Sequence, residues 1–413
     1  MKPAVWHPFT QHGLEEVIPL VERAEGAAIH TTDGRRIVDA ISSWWVTTHG
    51  HCHPRIVQAI AEQALRLDQI IFAGWTHEPA EDAARALLEL MPAELAHVFY
   101  SDSGSTSVEV ALKMALGYWR NIGRPRHRIV VLEGSYHGDT IGAMSVGARG
   151  VFNQPYGPLL FDVDVLPFPG EGTGQRTIDA LESLCRTREP AALIVEPLIL
   201  GAGGMRIYGA ETLKELRAVC AESRVLFIAD EVMTGWGRTG TLLACEQAGI
   251  APDLLCLSKG LTGGSLPLAV TLATSEIYDA HYSRDRSRQF FHSSSYTANP
   301  LACAAARANL SVWKNEPVRD RIGQLEQKQQ LRMKRLARAR NVRRLGTITA
   351  CEIGESDSGY LAARGPEMLA HFRNRNVLVR PLGNTLYVMP PYCIGDADLD
   401  SIYDAIEELI EGL

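Results

Sequence analysis

No stretch of the chain approaches the roughly 18 to 20 consecutive apolar residues of a membrane span. The opening MKPAVWHPFT carries no apolar signal core. A basic field is missing as well: the formal net charge is -7 and no long run of Lys and Arg occurs, so nucleic acid is not an expected partner. The richest arginine stretch, Arg332 to Arg344, alternates with Leu, Met and Ala as a solvated helix face would. The eight cysteines (52, 185, 220, 245, 256, 303, 351 and 393) form no CxxC pair. Several sit in apolar runs, such as Cys256 in LLCLS, and read as small buried hydrophobes in a reducing compartment. These absences lead to the expectation of a cytoplasmic protein that neither crosses a membrane nor binds nucleic acid.

What is present fits a globular chain. Apolar residues make up 46% and charged residues 22%, and 413 residues exceed what one core usually serves, which predicts two packed units. Through the middle, short apolar runs alternate with polar loops and amphipathic stretches. HVFY (97–100) leads into SDSGSTS, RIVVLE (128–133) into GSYHGDT, and AALIVE (191–196) into PLILGAGGM. RVLFIAD (224–230) leads into EVMTGWGRTG, and DLLCLSK (253–259) into GLTGGS. Such alternation predicts a mostly parallel sheet flanked by helices. Ligands of such sheets gather at the carboxyl ends of the strands, where these Gly-, Ser-, His-, Asp- and Lys-rich loops lie. Residues 1–50, with AAIHTTDGRRIVDA around a turn at Asp33-Gly34, and residues 305–413 differ in pattern. They predict a smaller α+β domain built from both chain ends around a large domain of residues 51–304.

Four strand ends carry residues suited to one chemistry. Asp230 closes a run apolar enough to be buried on both faces, where a carboxylate requires a cationic or donor partner. Lys259 closes another, where desolvation lowers an amine's pKa. Ser103, Gly104 and Ser105 precede a helix pattern and present amides that suit an anion. Tyr136 and His137 offer a flat face and a hydrogen-bonding imidazole. Taken singly, Asp230 reads as a capping or salt-bridged carboxylate, Lys259 as a lysine reaching solvent, and Ser103 as an N-cap. Together they are the parts that pyridoxal 5'-phosphate (PLP) requires: an amine for the aldehyde, a carboxylate for the ring nitrogen, and a helix start for the phosphate.

Two other motifs compete. Gly235, Gly237 and Gly240 spell G-W-G-R-T-G, the dinucleotide fingerprint of a nucleotide-binding oxidoreductase. That fingerprint needs its first glycine directly after the strand, whereas here Asp230, Glu231 and three further residues intervene. His49-Gly50-His51-Cys52-His53 resembles a metal cluster, but adjacent side chains point in alternating directions and no second cluster stands at ligand spacing. A loop packed near the active site is the better reading, with no metal expected.

LFIADEVMTGWGRTG, followed 29 residues after its Asp by the lysine of LSKG, resembles the signature of the class III aminotransferases. WHPFT, DGRRIVDAISSWWVTTHGHCHP, SDSGSTSVEVALKMALGYW, GSYHGDTIGAMSVG, NPLACAAA and VRPLGNTLYVMPPY extend the resemblance over nearly the whole chain. They are most similar to the branch that aminates 8-amino-7-oxononanoate with S-adenosylmethionine in biotin biosynthesis. The resemblance implies the PLP-dependent transferase fold type I. It implies Lys259 as the Schiff-base lysine, Asp230 as partner of the pyridine nitrogen, Gly104 and Ser105 at the phosphate, and Tyr136 against the ring. It places Ser295 in the neighbouring subunit's site, which implies a homodimer. Trp44 would line the substrate pocket together with Tyr136 and Lys259, and Arg380 would hold the substrate carboxylate. Arg238 is either a second carboxylate arginine or a structural one. Two positions depart from the pattern: Phe9 stands where a tyrosine is common, and Leu200 where a glutamine is usual. Other class III enzymes, acting on lysine, diamines or ω-amino acids, are the alternative.

Overall fold

Side chains on a strand alternate between the two sheet faces, so a strand apolar at every position must be covered on both. The computed structural model, which describes residues 3–354 and 364–412, bears this out. Three strands open the chain: β1 (Val21–Glu25), β2 (Ala28–Thr31) and β3 (Arg36–Asp39). Seven form the central sheet: β4 (Leu95–Ser101), β5 (Ile129–Leu132), β6 (Asp164–Leu166), β7 (Ala192–Val195), β10 (Leu226–Asp230), β11 (Leu254–Leu257) and β12 (Ala269–Thr274). A small hairpin, β8 (Ile199–Leu200) and β9 (Arg206–Ile207), follows β7 in the chain.

The order across the central sheet is β4-β12-β11-β10-β7-β5-β6. Pairing is parallel from β11 through β6, while β12 runs antiparallel to both β11 and β4. Strands β5, β7, β10 and β11 are buried at every residue. Their alternate residues feed two separate cores. Val130, Leu132, Leu193, Val195, Phe227 and Ala229 enter one. Ile129, Val131, Ala192, Ile194, Leu226 and Ile228 enter the other, with the helix Gly104–Asn121 packed over them.

The chain ends meet in a second sheet of order β1-β2-β3-β15, where β15 (Val377–Leu378) lies parallel to β3. The turn between β2 and β3 falls at Asp33-Gly34, with Gly34 at φ 83°. Strands β13 (Arg340–Leu345), β14 (Ile348–Glu352) and β16 (Thr385–Val388) make a third, antiparallel sheet. No helix among the described residues is long and apolar enough to cross a membrane. Five cysteines are buried and Cys185 partly so, whereas Cys52 and Cys393 are exposed, an exception to the reading of buried thiols.

Candidate active site

The carboxyl ends of β4, β5, β7, β10 and β11 surround a cavity of about 150 Å³ whose walls include Gly104, Ser105, Tyr136, Asp230 and Lys259. With Ser103 and His137, which also line it, seven residues singled out in the sequence are thus brought together. Each is placed by its local fold. Ser103 caps the helix Gly104–Asn121 through a reciprocal bond with Thr106, leaving the first turn's amides at the cavity. Ser105 Oγ accepts from the backbone N–H of Asp139, pinning the loop after β5 to the helix start. Gly138 is required there, since a Cβ would fall 2.1 Å from Ser105 Oγ.

Asp230 ends β10, only 5% exposed. Its Oδ1 accepts from the N–H of Val232 at 3.1 Å, and its Oδ2 contacts His137 Nδ1 at 2.7 Å. Lys259 follows β11 with φ 44°, a left-handed turn that sends the chain into a short 3-10 helix. Its ammonium lies 5.2 Å from the centre of the Trp45 ring. Burial lowers its pKa, opposed by the charges of Asp230 and Glu196. The turn is supported from behind: Asn309 Nδ2 donates to the carbonyls of Gly260 and Leu261, both at 3.0 Å. With both amide protons so used, Asn309 Oδ1 accepts from His49 Nε2 at 2.9 Å. Burial, then the neighbouring His53, push the His49 pKa down to about 3, so this imidazole is neutral.

Sequence reasoning missed Glu196. It follows β7 and accepts from the backbone N–H groups of Tyr136 and Gly201, each at 2.9 Å. Burial lifts its pKa to about 7 against the pull of His137. The apolar run AALIVE ended on it, but nothing in that run distinguishes a cavity carboxylate from a cap.

Arg380 and Trp44 do not line this cavity; Arg380 and Phe9 line a separate one of about 360 Å³, where Arg380 stands in an aromatic cluster. The guanidinium carbon lies 4.8 Å from the Trp44 ring centre and 5.3 Å from that of Phe9. Phe9 packs edge-on against Trp44 and Phe152. Alternation along an extended segment predicts Trp45 in the core. The segment is instead a turn in which Ser42, Ser43, Trp44 and Trp45 all take positive φ. For such residues this costs roughly 1–2 kcal/mol each. Trp45 is buried, yet it also lines the Lys259 cavity.

Other candidates fall elsewhere. Ser295 is exposed and does not line the Lys259 cavity. Arg238 is structural: 1% exposed, it donates to the carbonyls of Trp45, Thr47 and Pro390. Leu200 is wholly buried in the core rather than on the cavity wall. Gly235–Gly240 lie in a run of turns with no helix directly after β10, so the dinucleotide fingerprint has no strand–turn–helix context. A Cβ on Gly237 would meet Ile322 at 2.3 Å, which gives that glycine a packing role. The three histidines of the 49–53 motif face different partners: Asn309, Asp39 and Glu316.

Lys259, Asp230 and the helix start at Gly104 facing a single cavity form the set that PLP requires, and the same fold is found in known enzymes. The profile of the family described as Aminotransferase class-III matches residues 9–410. The chain belongs to the class III aminotransferases. An adenosylmethionine-8-amino-7-oxononanoate aminotransferase from Synechococcus elongatus is 47% identical over 421 residues, covering 99% of each chain. The enzyme of that name from Aquifex aeolicus is 37% identical and covers 100% of this chain and 96% of its own. The crystal structure of the Methanocaldococcus jannaschii enzyme of that name superposes with a TM-score of 0.94 at 33% identity, covering 99% of this chain and 97% of its own. A PLP-bound amine transaminase from an uncultivated Pseudomonas species gives 0.93 at 31% identity, covering 100% and 99%. Class III aminotransferases are PLP-dependent transferases of fold type I, and this one has that fold.

Proposed function

We propose that this aminotransferase moves an amino group from S-adenosylmethionine to 8-amino-7-oxononanoate, giving 7,8-diaminononanoate for biotin biosynthesis. The full-length relatives of that name support the reading. The observation that carries it to particular residues is the placement of Arg380 against Trp44 and Phe9, with Trp44 next in the chain to the Trp45 that lines the Lys259 cavity. A long aliphatic acid needs an apolar slot ending in a cation, and a guanidinium meets a carboxylate in bidentate geometry. The aromatic faces also suit the sulfonium and adenine of the donor.

PLP, when bound, supplies an electron-accepting ring that stabilises negative charge at the reacting carbon. The chain's residues do the rest. Lys259 would hold the aldehyde, and its Nζ is the atom placed to move protons at the reacting carbon. Its lowered pKa keeps more of the amine unprotonated. Asp230, oriented by His137 and the Val232 amide, would hold the proton of the ring nitrogen. Gly104 and Ser105 would take the phosphate at the helix start, with Tyr136 against the ring.

The active form in this proposal is a cytoplasmic homodimer. Ser295 would complete the neighbouring site from an exposed segment that Gln69 ties down through the Ser295 carbonyl. Exposed Ile71, Trp75, Phe291 and Tyr296 on the two joined segments give that face an apolar surface to bury. Residues 51–304 would form the large domain, and residues 1–50 with 305–413 the small one, the parallel β3–β15 pair joining the two ends. The experiment is a screen of amine donors on the PLP-loaded enzyme, reading conversion to pyridoxamine phosphate. Conversion by S-adenosylmethionine supports the reading; conversion by lysine or ω-amino acids alone replaces the donor.

A further inference from the structure

Ser42, Ser43, Trp44 and Trp45 take φ values of 52°, 44°, 71° and 74° in succession. At Ser43 and Trp44 the ψ values of 52° and 49° complete left-handed helical geometry. None of the four is a residue that visits this region readily, so the turn must be held by its surroundings. Ser42 Oγ donates to the Met389 carbonyl and Trp45 Nε1 to Tyr387, and the first half is held by Asp39, at the end of β3 and wholly buried. Its Oδ1 accepts from the N–H of Ile41 at 3.1 Å. Its Oδ2 accepts from Ser43 Oγ at 3.0 Å and from His51 Nε2 at 2.9 Å. His51 is itself anchored by two backbone hydrogen bonds to Gly26, in the turn between β1 and β2. One buried carboxylate thus ties the residue before the turn, the turn's second residue and the following His51 loop to the terminal sheet.

The same strand fixes what the turn presents. Asp39 stands in register with Leu378 of β15, two residues before Arg380. Trp44 meets the Arg380 guanidinium, and Trp45 faces the Lys259 ammonium. Nothing in the reaction itself calls for the charge of Asp39 or the imidazole of His51. We infer that Asp39, Ser43 and His51 are positioning residues that lock this left-handed turn and thereby set the shape of the substrate slot. The inference rests on the proposed function for the identity of the substrates, and it assigns the HGHCHP segment a role that is not metal binding.

The test uses the PLP-loaded enzyme with Asp39→Asn, His51→Leu and His51→Gln. Asp39→Asn replaces one acceptor oxygen and the charge with a donor, and His51→Leu removes the imidazole donor, whereas Gln keeps an N–H donor for Asp39. Losing a hydrogen bond to a buried charge should raise KM for 8-amino-7-oxononanoate by about tenfold or more. The kcat value and the visible absorbance of bound PLP should change little, the signature of lost binding rather than lost chemistry. Tryptophan fluorescence should shift as the indole of Trp44 is displaced, and His51→Gln should restore both KM and fluorescence. Lowered thermal stability with unchanged KM and fluorescence would overturn the inference, as would a collapse of kcat at unchanged KM. If Asp39→Asn does not fold, the two His51 variants decide alone. A wild-type enzyme inactive on 8-amino-7-oxononanoate would sink the substrate reading instead, and the fluorescence of the variants would still judge the lock.

Discussion

Asp230 Oδ2 and His137 Nδ1 are 2.7 Å apart at the base of the cavity, both buried. An ionised carboxylate only accepts, so Nδ1 carries the proton, and the imidazole fixes the carboxylate's orientation. Asp230→Asn keeps the shape and removes the charge. Turnover should fall on the order of 10²-fold or more, as when a preorganised electrostatic partner is lost. PLP should remain bound, as checked by visible absorbance after gel filtration. Near-normal turnover would make Asp230 a structural residue.

Lys259→Ala should lose covalently held PLP, read as loss of the protein-bound visible band and of the borohydride-fixed adduct. An adduct found intact on another lysine would refute the assignment.

The central sheet was legible because β5, β7, β10 and β11 are unbroken apolar runs. The edge of the sheet was not. Strand β12 follows Lys259 after a glycine-rich turn and runs antiparallel, and nothing in its own residues encodes that direction. At the site, Lys259, Asp230, Gly104, Ser105 and Tyr136 stood out because they end strands. Glu196 ends one too, but its part depends on amides contributed by Tyr136 and Gly201, distant in sequence or in the following turn. Alternation gave the burial of Trp45 but not the left-handed turn at Ser42–Trp45 that produces it. Its geometry is held by the nearby Asp39 and by the distant Tyr387, Met389 and Arg238, against the local preference of its own residues.

Arg380→Ala should raise KM for 8-amino-7-oxononanoate about tenfold or more, the loss expected for a charge-assisted pair. The cofactor spectrum should be undisturbed. Steady-state kinetics with varied acceptor check this, and an unchanged KM would make Arg380 structural.

Glu196 gives a pH signature. Its pKa is raised from 4.5 to about 7 in the fold, chiefly by burial. A raised carboxyl pKa means the folded state holds the proton more tightly than the unfolded chain. Its stabilising contribution is therefore full below pH 4.5 and is lost as pH rises to about 7. Glu196→Gln, which cannot ionise, should remove that decline. Denaturant titrations of the PLP-free protein across this window measure it. Parallel pH profiles for the two proteins would refute the shift.

The most direct test of the central claim is a complete turnover assay. Purified PLP-loaded enzyme is mixed with S-adenosylmethionine and 8-amino-7-oxononanoate, and the products are separated by mass spectrometry. The account predicts 7,8-diaminononanoate, formed only when both substrates are present and abolished by Lys259→Ala. Absence of the diamine with S-adenosylmethionine and with every other amine donor, from enzyme that retains its PLP absorbance, would contradict it.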